Sequence, residues 1–356
     1  CCLPIPDPYY GPNKLVAAMH RFGCETPKCD KRRLREFRSF VRVWCRRNLV
    51  PLASDTDLSP EEWLAHTHYP AWRRQELLEC LERDVQLTRR HFVCESFIKT
   101  EFYTAFKNPR FINSRDDRFK VFSGPFFHAV EQVLFKLPQF VKFVPVCDRA
   151  KYIYDRLFRE GGRYFASDYT SFEALFTPEV MLACEFQLYA YMAKNLPTGA
   201  DIVETIRRAL AGTNTMRSKG FTARVKGVRM SGDMCTSLGN GFTNLMLVSY
   251  VVWKKTGQFE NLKSLIEGDD GLFAVPCELT SADFAACGFT AEIKEIDKPV
   301  HGHFCGATMS DDGLLLKDPH HVLSTFGWTH TMIGCGARTA MGLLRAKALS
   351  LLHEAP

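Results

Sequence analysis

Two adjacent carboxylates, Asp269 and Asp270, stand on a glycine turn between two apolar runs in the segment LIEGDDGLFAV, residues 265–275. Burying ionised Asp between such runs is costly unless something compensates. The usual compensation for clustered carboxylates is a hard divalent cation, which prefers oxygen ligands. A strand–turn–strand with Asp-Asp at its tip is therefore a candidate metal platform. Taken alone, the tripeptide reads more simply as an exposed β-turn with solvated acids. The rest of the chain reverses that preference.

A second acid, Asp168, closes a short strand-like run over 162–168. If the two strands are neighbours, Asp168 and Asp269 can share a pair of metal ions, the arrangement used for phosphoryl transfer. Mg²⁺ fits such a site best, binding through one or two carboxylates plus substrate phosphates, and Mn²⁺ is the expected substitute. Residues 229–240, RMSGDMCTSLGN, place a small Ser-Gly turn before a helix. Thr236 and Asn240 are four apart on one helix face and offer neutral groups suited to a sugar hydroxyl. The plainer reading is a capped helix start, which accounts for Ser231 but not for the whole run. In the third segment, Lys99, Lys107, Arg110 and Arg115 alternate with apolar anchors such as Phe97 and Ile112. An extended basic stretch of this kind can hold cations over a triphosphate. By itself it reads more simply as a basic surface strand.

These residues need a scaffold, and the sequence contains one. The chain of 356 residues is 46% hydrophobic with 28 Phe, enough for a sizeable core and unlike a disordered chain. A net charge of +6 is mild, but Lys31, Arg32, Arg33, Arg35, Arg38, Arg42, Arg46 and Arg47 crowd one segment. That crowding points to a polyanionic partner or to a solvated helix face. Fourteen scattered Cys form no disulfide framework and read as reduced thiols in a cytosolic setting. His20, Cys24 and Cys29, and likewise His301, His303 and Cys305 on one strand face, have loose ligand spacing but read as packing or surface residues rather than zinc sites. The apolar stretch 245–253 is too short to span a bilayer. The chain opens with Cys1-Cys2 and is expected to be a piece of a longer translation product.

The coarse element order follows from caps and periodicity. Residues 1–60 read as basic and mostly helical. Ser59 caps a helix with Pro60 at its first position. A Leu-rich helix covers 71–90, residues 92–122 are extended, and a helix spans 125–137. Thr177-Pro178 opens a helix to about 194. Strands at 213–219 and 221–225 form a hairpin around Gly220. A helix over 239–253, the acid-tipped hairpin, a helix near 280–287 and a strand over 291–296 complete an α+β pattern with two acidic strand ends.

Taken together, these segments resemble a viral RNA-dependent RNA polymerase of the positive-strand type, nearest to the tombusvirus-like and nodavirus-like group. Asp168-Tyr169-Thr170-Ser171-Phe172-Glu173 resembles motif A. Ser231 through Asn240 resembles motif B, and Glu267-Gly268-Asp269-Asp270 resembles motif C. Lys99, Glu101, Lys107, Arg110 and Ile112 resemble motif F. Gly288 through Lys294 resembles motif D, and Phe304-Cys305-Gly306 resembles motif E. Thr67-His68-Tyr69-Pro70 is a weaker likeness to motif G. The order F, A, B, C, D, E is that of the family, and coverage runs from about residue 60 to 310.

The resemblance implies a right-hand polymerase fold: fingers over 1–160, a palm over 161–308 with an inserted inner-fingers segment near 196–228, and a short, incomplete thumb over 309–356. It implies Asp168, Asp269 and Asp270 as metal ligands and catalytic acids, with Lys294 (or Lys298) protonating pyrophosphate. Lys99, Lys107 and Arg110 would grip the incoming triphosphate. Glu173, Ser231, Thr236 and Asn240 would read the ribose, whose 2′-hydroxyl separates RNA from DNA. Thr67, Tyr69, Pro70, Arg115 and Gly232 would contact template RNA. Arg338, Arg345 and Lys347 on a terminal helix could touch product phosphates. The family usually has Asp where this chain has Glu173, one methylene longer.

The implied partners are an RNA template and product, ribonucleoside triphosphates and other viral replicase subunits. The implied setting is the host cytoplasm, at membrane-associated replication complexes reached through segments or partners outside this chain. A reverse transcriptase would share the acids but reads Tyr-x-Asp-Asp and lacks the run from Ser231 to Asn240. A non-catalytic RNA-binding remnant would account for the basic face but not for the presence of each expected acid. A metal-dependent nuclease would need a separate cluster to activate water, and the sequence offers none.

Overall fold

In the computed structural model, helix ends fall where the sequence supplies caps. The structure describes every residue except 1–4, 24, 26–27, 84–85, 104, 160–161, 170, 261, 310–314, 330–331, 333 and 355–356. Cys24 of one loose ligand group and Thr170 of the motif A-like run lie outside the described residues. Helices α1 (Gly11–Phe22), α2 (Lys31–Asn48), α3 (Pro60–Ala65) and α4 (Ala71–Arg83) open the described chain. Strands β1 (Cys94–Ile98) and β2 (Phe111–Arg115) follow, then α5 (Asp117–Leu134) and α6 (Val146–Leu157). Strand β3 (Arg163–Tyr169) leads to α7 (Pro178–Ala183), α8 (Glu185–Met192) and α9 (Gly199–Leu210). The hairpin β4 (Thr213–Ser218) and β5 (Phe221–Lys226) precedes α10 (Thr236–Thr256). Next come β6 (Lys263–Glu267), β7 (Asp270–Val275), α11 (Ser281–Ala285) and β8 (Ala291–Ile296). The short strands β9 (Ala307–Met309) and β10 (Leu315–Lys317) and helices α12 (Pro319–Thr325) and α13 (Ala337–Glu354) end it.

Asp30 caps α2 by accepting from the Arg32 and Arg33 amides, and Ser59 caps α3 through the Glu62 amide. Helix α10 stops at Gly257, whose φ of 72° few other residues adopt. The expected start of a helix at Pro125 is corrected: α5 begins at Asp117, capped by Asp116, and Pro125 lies inside it. The expected helix from 178 to 194 is interrupted at Cys184 (φ −113°, ψ −89°). His301 lies in a 3₁₀ turn and Cys305 has φ 55°, so the alternation read for His301, His303 and Cys305 is not that of a strand. Each described cysteine is free of a disulfide, and among the described residues no helix is long and apolar enough to cross a membrane.

Two four-stranded sheets organise the described residues, a mixed α and β architecture. One sheet, ordered β6-β7-β3-β8, is antiparallel throughout. Both of its faces are covered, which accounts for the unbroken apolar run of β7. Phe165, Ile266 and Phe273 join the main core with α2, α5, α8 and α10. Tyr164, Leu265 and Leu272 pack on the other side with Ile153, Leu157, Val300 and Phe304. The other sheet is ordered β2-β1-β4-β5, with β1 and β4 parallel. Hairpin β4–β5, which follows β3 in sequence, therefore leaves the first sheet and joins strands that precede it. Helix α1 covers this second sheet through Ala17, Ala18, Ile98, Phe111 and Met216.

Candidate active site

Strand pairing brings the acids to one sheet end. Ser167 of β3 lies opposite Gly271 of β7, so one further step along the ladder brings Asp168 level with Asp270. On its other side Asp168 pairs with Glu292 of β8. Glu267 and Asp270 close the β6–β7 hairpin, whose two connecting residues are Gly268 and Asp269. Gly268 takes φ +61°, a left-handed value that such a tight connection demands.

The electrostatics report crowding. Burial pushes the Asp269 carboxyl up, and the nearby Glu173 and Asp168 charges push it further, while Arg21 pulls it down. Burial and then Asp269 raise Asp270 to about 6, against a 3.1 Å hydrogen bond from the Cys305 amide to its Oδ2. Carboxylates held together against their own repulsion are the donor set a hard divalent cation stabilises. Among the described residues, no three His, Cys, Asp or Glu side chains already close around one point. The donor chemistry thus fits a metal, and the ligand set is not closed in advance.

Asn244, on the third turn of α10, holds the acidic turn from behind. Its Nδ2 donates to the carbonyl oxygens of Gly268, Asp269 and Asp270 at 3.3, 3.0 and 3.2 Å. Its Oδ1 accepts from the Tyr169 hydroxyl at 3.1 Å. One amide therefore ties β3, α10 and the β6–β7 turn together. Sequence reasoning missed it, although it lies four residues after Asn240 on the same helix face.

In front of the acids lies a cavity of about 550 Å³, lined by Lys99, Lys107, Arg110, Glu173, Ser231 and Asp269, among others. The cations come from the loop between β1 and β2, which the Lys99 amide closes by donating to the Arg110 carbonyl at 2.8 Å. Glu101 orients them. Arg110 forks onto it at 2.7 and 2.6 Å, and Lys99 approaches to 3.0 Å. Burial alone would raise Glu101, but Arg110, Lys99 and Tyr103 outweigh it and hold the carboxyl at about 2. Ser171, at φ 52°, starts the 3₁₀ turn Phe172–Leu175 that carries Glu173. Glu173 meets Arg21 of α1 at 2.6 Å, and both side chains are largely buried. No sequence signal marked Arg21, because only the docking of α1 brings it there.

The run after Ser231 is built against β2. The Ser231 carbonyl accepts from the Asn113 amide at 2.6 Å. Gly232 has φ +110°, and a Cβ there would stand 2.9 Å from the Asn113 carbonyl, so a larger residue does not fit. The Thr236 hydroxyl donates to the Asp233 carbonyl at 2.8 Å. Asn240 is buried and its Oδ1 has no hydrogen-bond partner among the described residues.

Arg115 requires a correction. Its side chain is 1% exposed and forks onto Asp233 at 2.6 and 2.8 Å, with further bonds to Phe92, Ala209 and Asn214. A guanidinium spent in this way is closed to template RNA and acts as an internal tie. Lys294 lies opposite Ala166 on the β8 ladder, on the sheet face that Asp168 shares, with Glu292 at 3.2 Å. Thr67, Tyr69 and Pro70 lie in the turn between α3 and α4 and do not line the cavity. The Thr67 hydroxyl donates to the Leu64 carbonyl, Tyr69 packs beside Trp63 and Leu77, and the Pro70 carbonyl accepts from the Arg73 amide.

No curated protein matches the chain closely enough to count as a relative. A family model described as viral RNA-dependent RNA polymerase matches residues 120–329. The span takes in β3, the Ser231 run and the Asp269-Asp270 turn, and leaves the Lys99–Arg110 loop outside it. With more than half of the chain inside that match, the protein belongs to the viral RNA-dependent RNA polymerase family, nucleotidyltransferases that make RNA on an RNA template.

Proposed function

We propose that the chain performs this synthesis by a two-metal mechanism in replicating a positive-strand RNA genome of the tombusvirus-like and nodavirus-like group. The observation that carries the reading is one cavity lined both by the cations Lys99, Lys107 and Arg110 and by the acids Asp269 and Glu173. Cations and carboxylates gathered round one hollow suit a triphosphate that must meet metal ligands at its α-phosphate. In this reading the fingers are residues 1–160, the palm is 161–308 with 196–228 inserted into the fingers, and 309–356 belongs to the thumb. The departure of β4–β5 to the sheet of β1 and β2 supports the insertion. Replication would take place in the host cytoplasm, at membrane-associated complexes reached through segments outside this chain or through partners.

Asp168, Asp269 and Asp270 would hold the ions, Mg²⁺ by preference and Mn²⁺ in its place. When bound, such cations activate the attacking 3′-hydroxyl and neutralise charge on the leaving oxygens. Lys99, Lys107 and Arg110 hold the β- and γ-phosphates, with Glu101 fixing the direction of Arg110. Ser231, Thr236, Asn240 and Glu173 select the ribose. The 3′-oxygen bonds to the α-phosphorus as the α–β phosphoanhydride breaks. Lys294 gives a proton to the departing pyrophosphate.

The test is incorporation of labelled ribonucleotide on a homopolymer template, with and without a primer, and with deoxynucleotides as the comparison. Asp269→Ala is expected to keep RNA binding and lose Mg²⁺- or Mn²⁺-dependent incorporation. Incorporation at the unmodified level in that variant refutes the assignment.

A further inference from the structure

The sheet β2-β1-β4-β5 buries one face under α1 and leaves the other open. Asn214 and Met216 of β4 point to the buried face. The alternate residues Thr213 and Thr215, with Arg224 paired opposite Thr215, lie on the open one. There, Arg89, Phe92, Arg207, Arg208, Thr215 and Arg224 line a hollow of about 530 Å³. Its arginines come from three separate places: the turn before β1, the last turn of α9, and β5.

This hollow is poor in counter-charge. Arg207 forks onto Glu204 at 2.6 and 2.6 Å, and Arg208 feels that same carboxylate. The side chains of Arg89 and Arg224 have no ionic or hydrogen-bonded partner among the described residues. Like charges gathered in one concavity repel each other, and a polyanion removes the repulsion. Guanidinium forks match phosphate oxygens in particular. The same sheet face continues with exposed Arg217 and Lys226, opposite Thr222 and Thr213. Glu95 of β1 lies beside Arg217 in the ladder, so the positive charge is concentrated in the hollow and towards Lys226. Arginines drawn from three elements into one hollow suit several phosphates of a chain better than one nucleotide.

Phe92 of the hollow's lining is tied through buried Arg115 to the run beside the candidate active-site cavity. Buried Arg115 donates to the Phe92 carbonyl at 2.7 Å and the Ala209 carbonyl at 3.3 Å. The same guanidinium holds Asp233, two residues from Ser231 at the cavity wall.

We propose that this hollow binds backbone phosphates of the single-stranded RNA template outside the catalytic cavity. Arg89, Arg208 and Arg224 make the contacts and Arg207 supports them. The proposal rests on the RNA-templated activity and not on the assignment of the metal ligands. The test uses the whole chain with Arg89→Glu, Arg208→Glu and Arg224→Glu combined. All three side chains are exposed, so the thermal midpoint is expected to stay unchanged.

Dissociation constants for a labelled single-stranded RNA are measured across a salt series. Affinity should fall at least about tenfold at low salt, and the salt slope should drop by about 2, at ~0.7 per phosphate contact. The KM for ribonucleotide should not change. An unchanged affinity and slope would overturn the site. So would competition by free tripolyphosphate that depends on these arginines while RNA binding does not. Asp269→Ala, measured beside it, separates the two readings. If that variant still incorporates, the metal assignment fails, while the arginine result stands on its own binding data.

Discussion

Arg21 and Glu173 meet at 2.6 Å in the wall of the candidate active-site cavity, one carried by α1 and the other by the turn after β3. Shortening the Glu173 side chain by one methylene draws its carboxylate back from Arg21. Glu173→Asp should therefore lose the ion pair, keep RNA synthesis and shift the ratio of ribonucleotide to deoxynucleotide incorporation. Arg21→Ala should shift the ratio in the same direction. In a double-mutant cycle the two effects should be non-additive by about 0.5–3 kcal/mol, as for residues in contact. Equal ratios in all four proteins would remove Arg21 and Glu173 from sugar selection.

Asn244 ties the acidic turn to β3 and α10, and its loss leaves the Gly268, Asp269 and Asp270 carbonyls short of a donor. Asn244→Ala is expected to cost about 1–3 kcal/mol of stability, the range for a buried polar group left unpaired. The nucleotide-addition rate should fall at temperatures where the variant is fully folded, with RNA affinity kept. A rate equal to that of the unmodified chain would reduce Asn244 to a packing residue.

Arg115 and Asp233 are 1% and 3% exposed, so neither charge has water to fall back on. Arg115→Met should lower the unfolding free energy by about 3–5 kcal/mol, the range for breaking a buried pair from one side. Arg115→Met with Asp233→Leu should recover part of the loss, because no charge is then left alone. Urea unfolding of the three proteins measures both. A single-variant loss under about 1 kcal/mol would contradict the tie.

Burial raises Glu131 to about 7; Lys142 opposes the shift and Glu267 adds to it. A carboxyl with a raised folded-state value binds its proton more tightly folded than unfolded. Its contribution to stability is full below the unfolded value, near 4.5, and is lost as pH rises through about 7. Glu131→Gln should therefore gain on the unmodified protein between pH 5 and pH 8, by on the order of 2 kcal/mol at the upper end. Parallel stability curves across that window would show that Glu131 ionises freely.

The local elements were legible wherever a cap, a glycine or a hydrophobic period spoke for them. The hairpin turning at Gly268, the hairpin around Gly220 and the strand over 291–296 lie where pattern and turn chemistry put them. The helix expected from 125 starts earlier, because Asp116 caps it and Pro125 is accommodated inside it. Arg115 departs from expectation for another reason. A cation in a basic extended run looks exposed until its partner Asp233, far along the chain, is folded against it.

The sequence by itself determined the chemistry available: acids at strand ends, a basic loop, and a Ser-Gly turn before a polar-mouthed helix. Side-chain type and short-range spacing are local properties, and those survive in one dimension. The tertiary structure alone decided which charges meet. It set Arg21 on Glu173, hid Arg115 behind Asp233, stretched Asn244 across three carbonyls and turned four separate arginines into one hollow. Such pairings depend on how helices and sheets dock, and docking is governed by burial of apolar faces that carry no record of the polar groups they bring together.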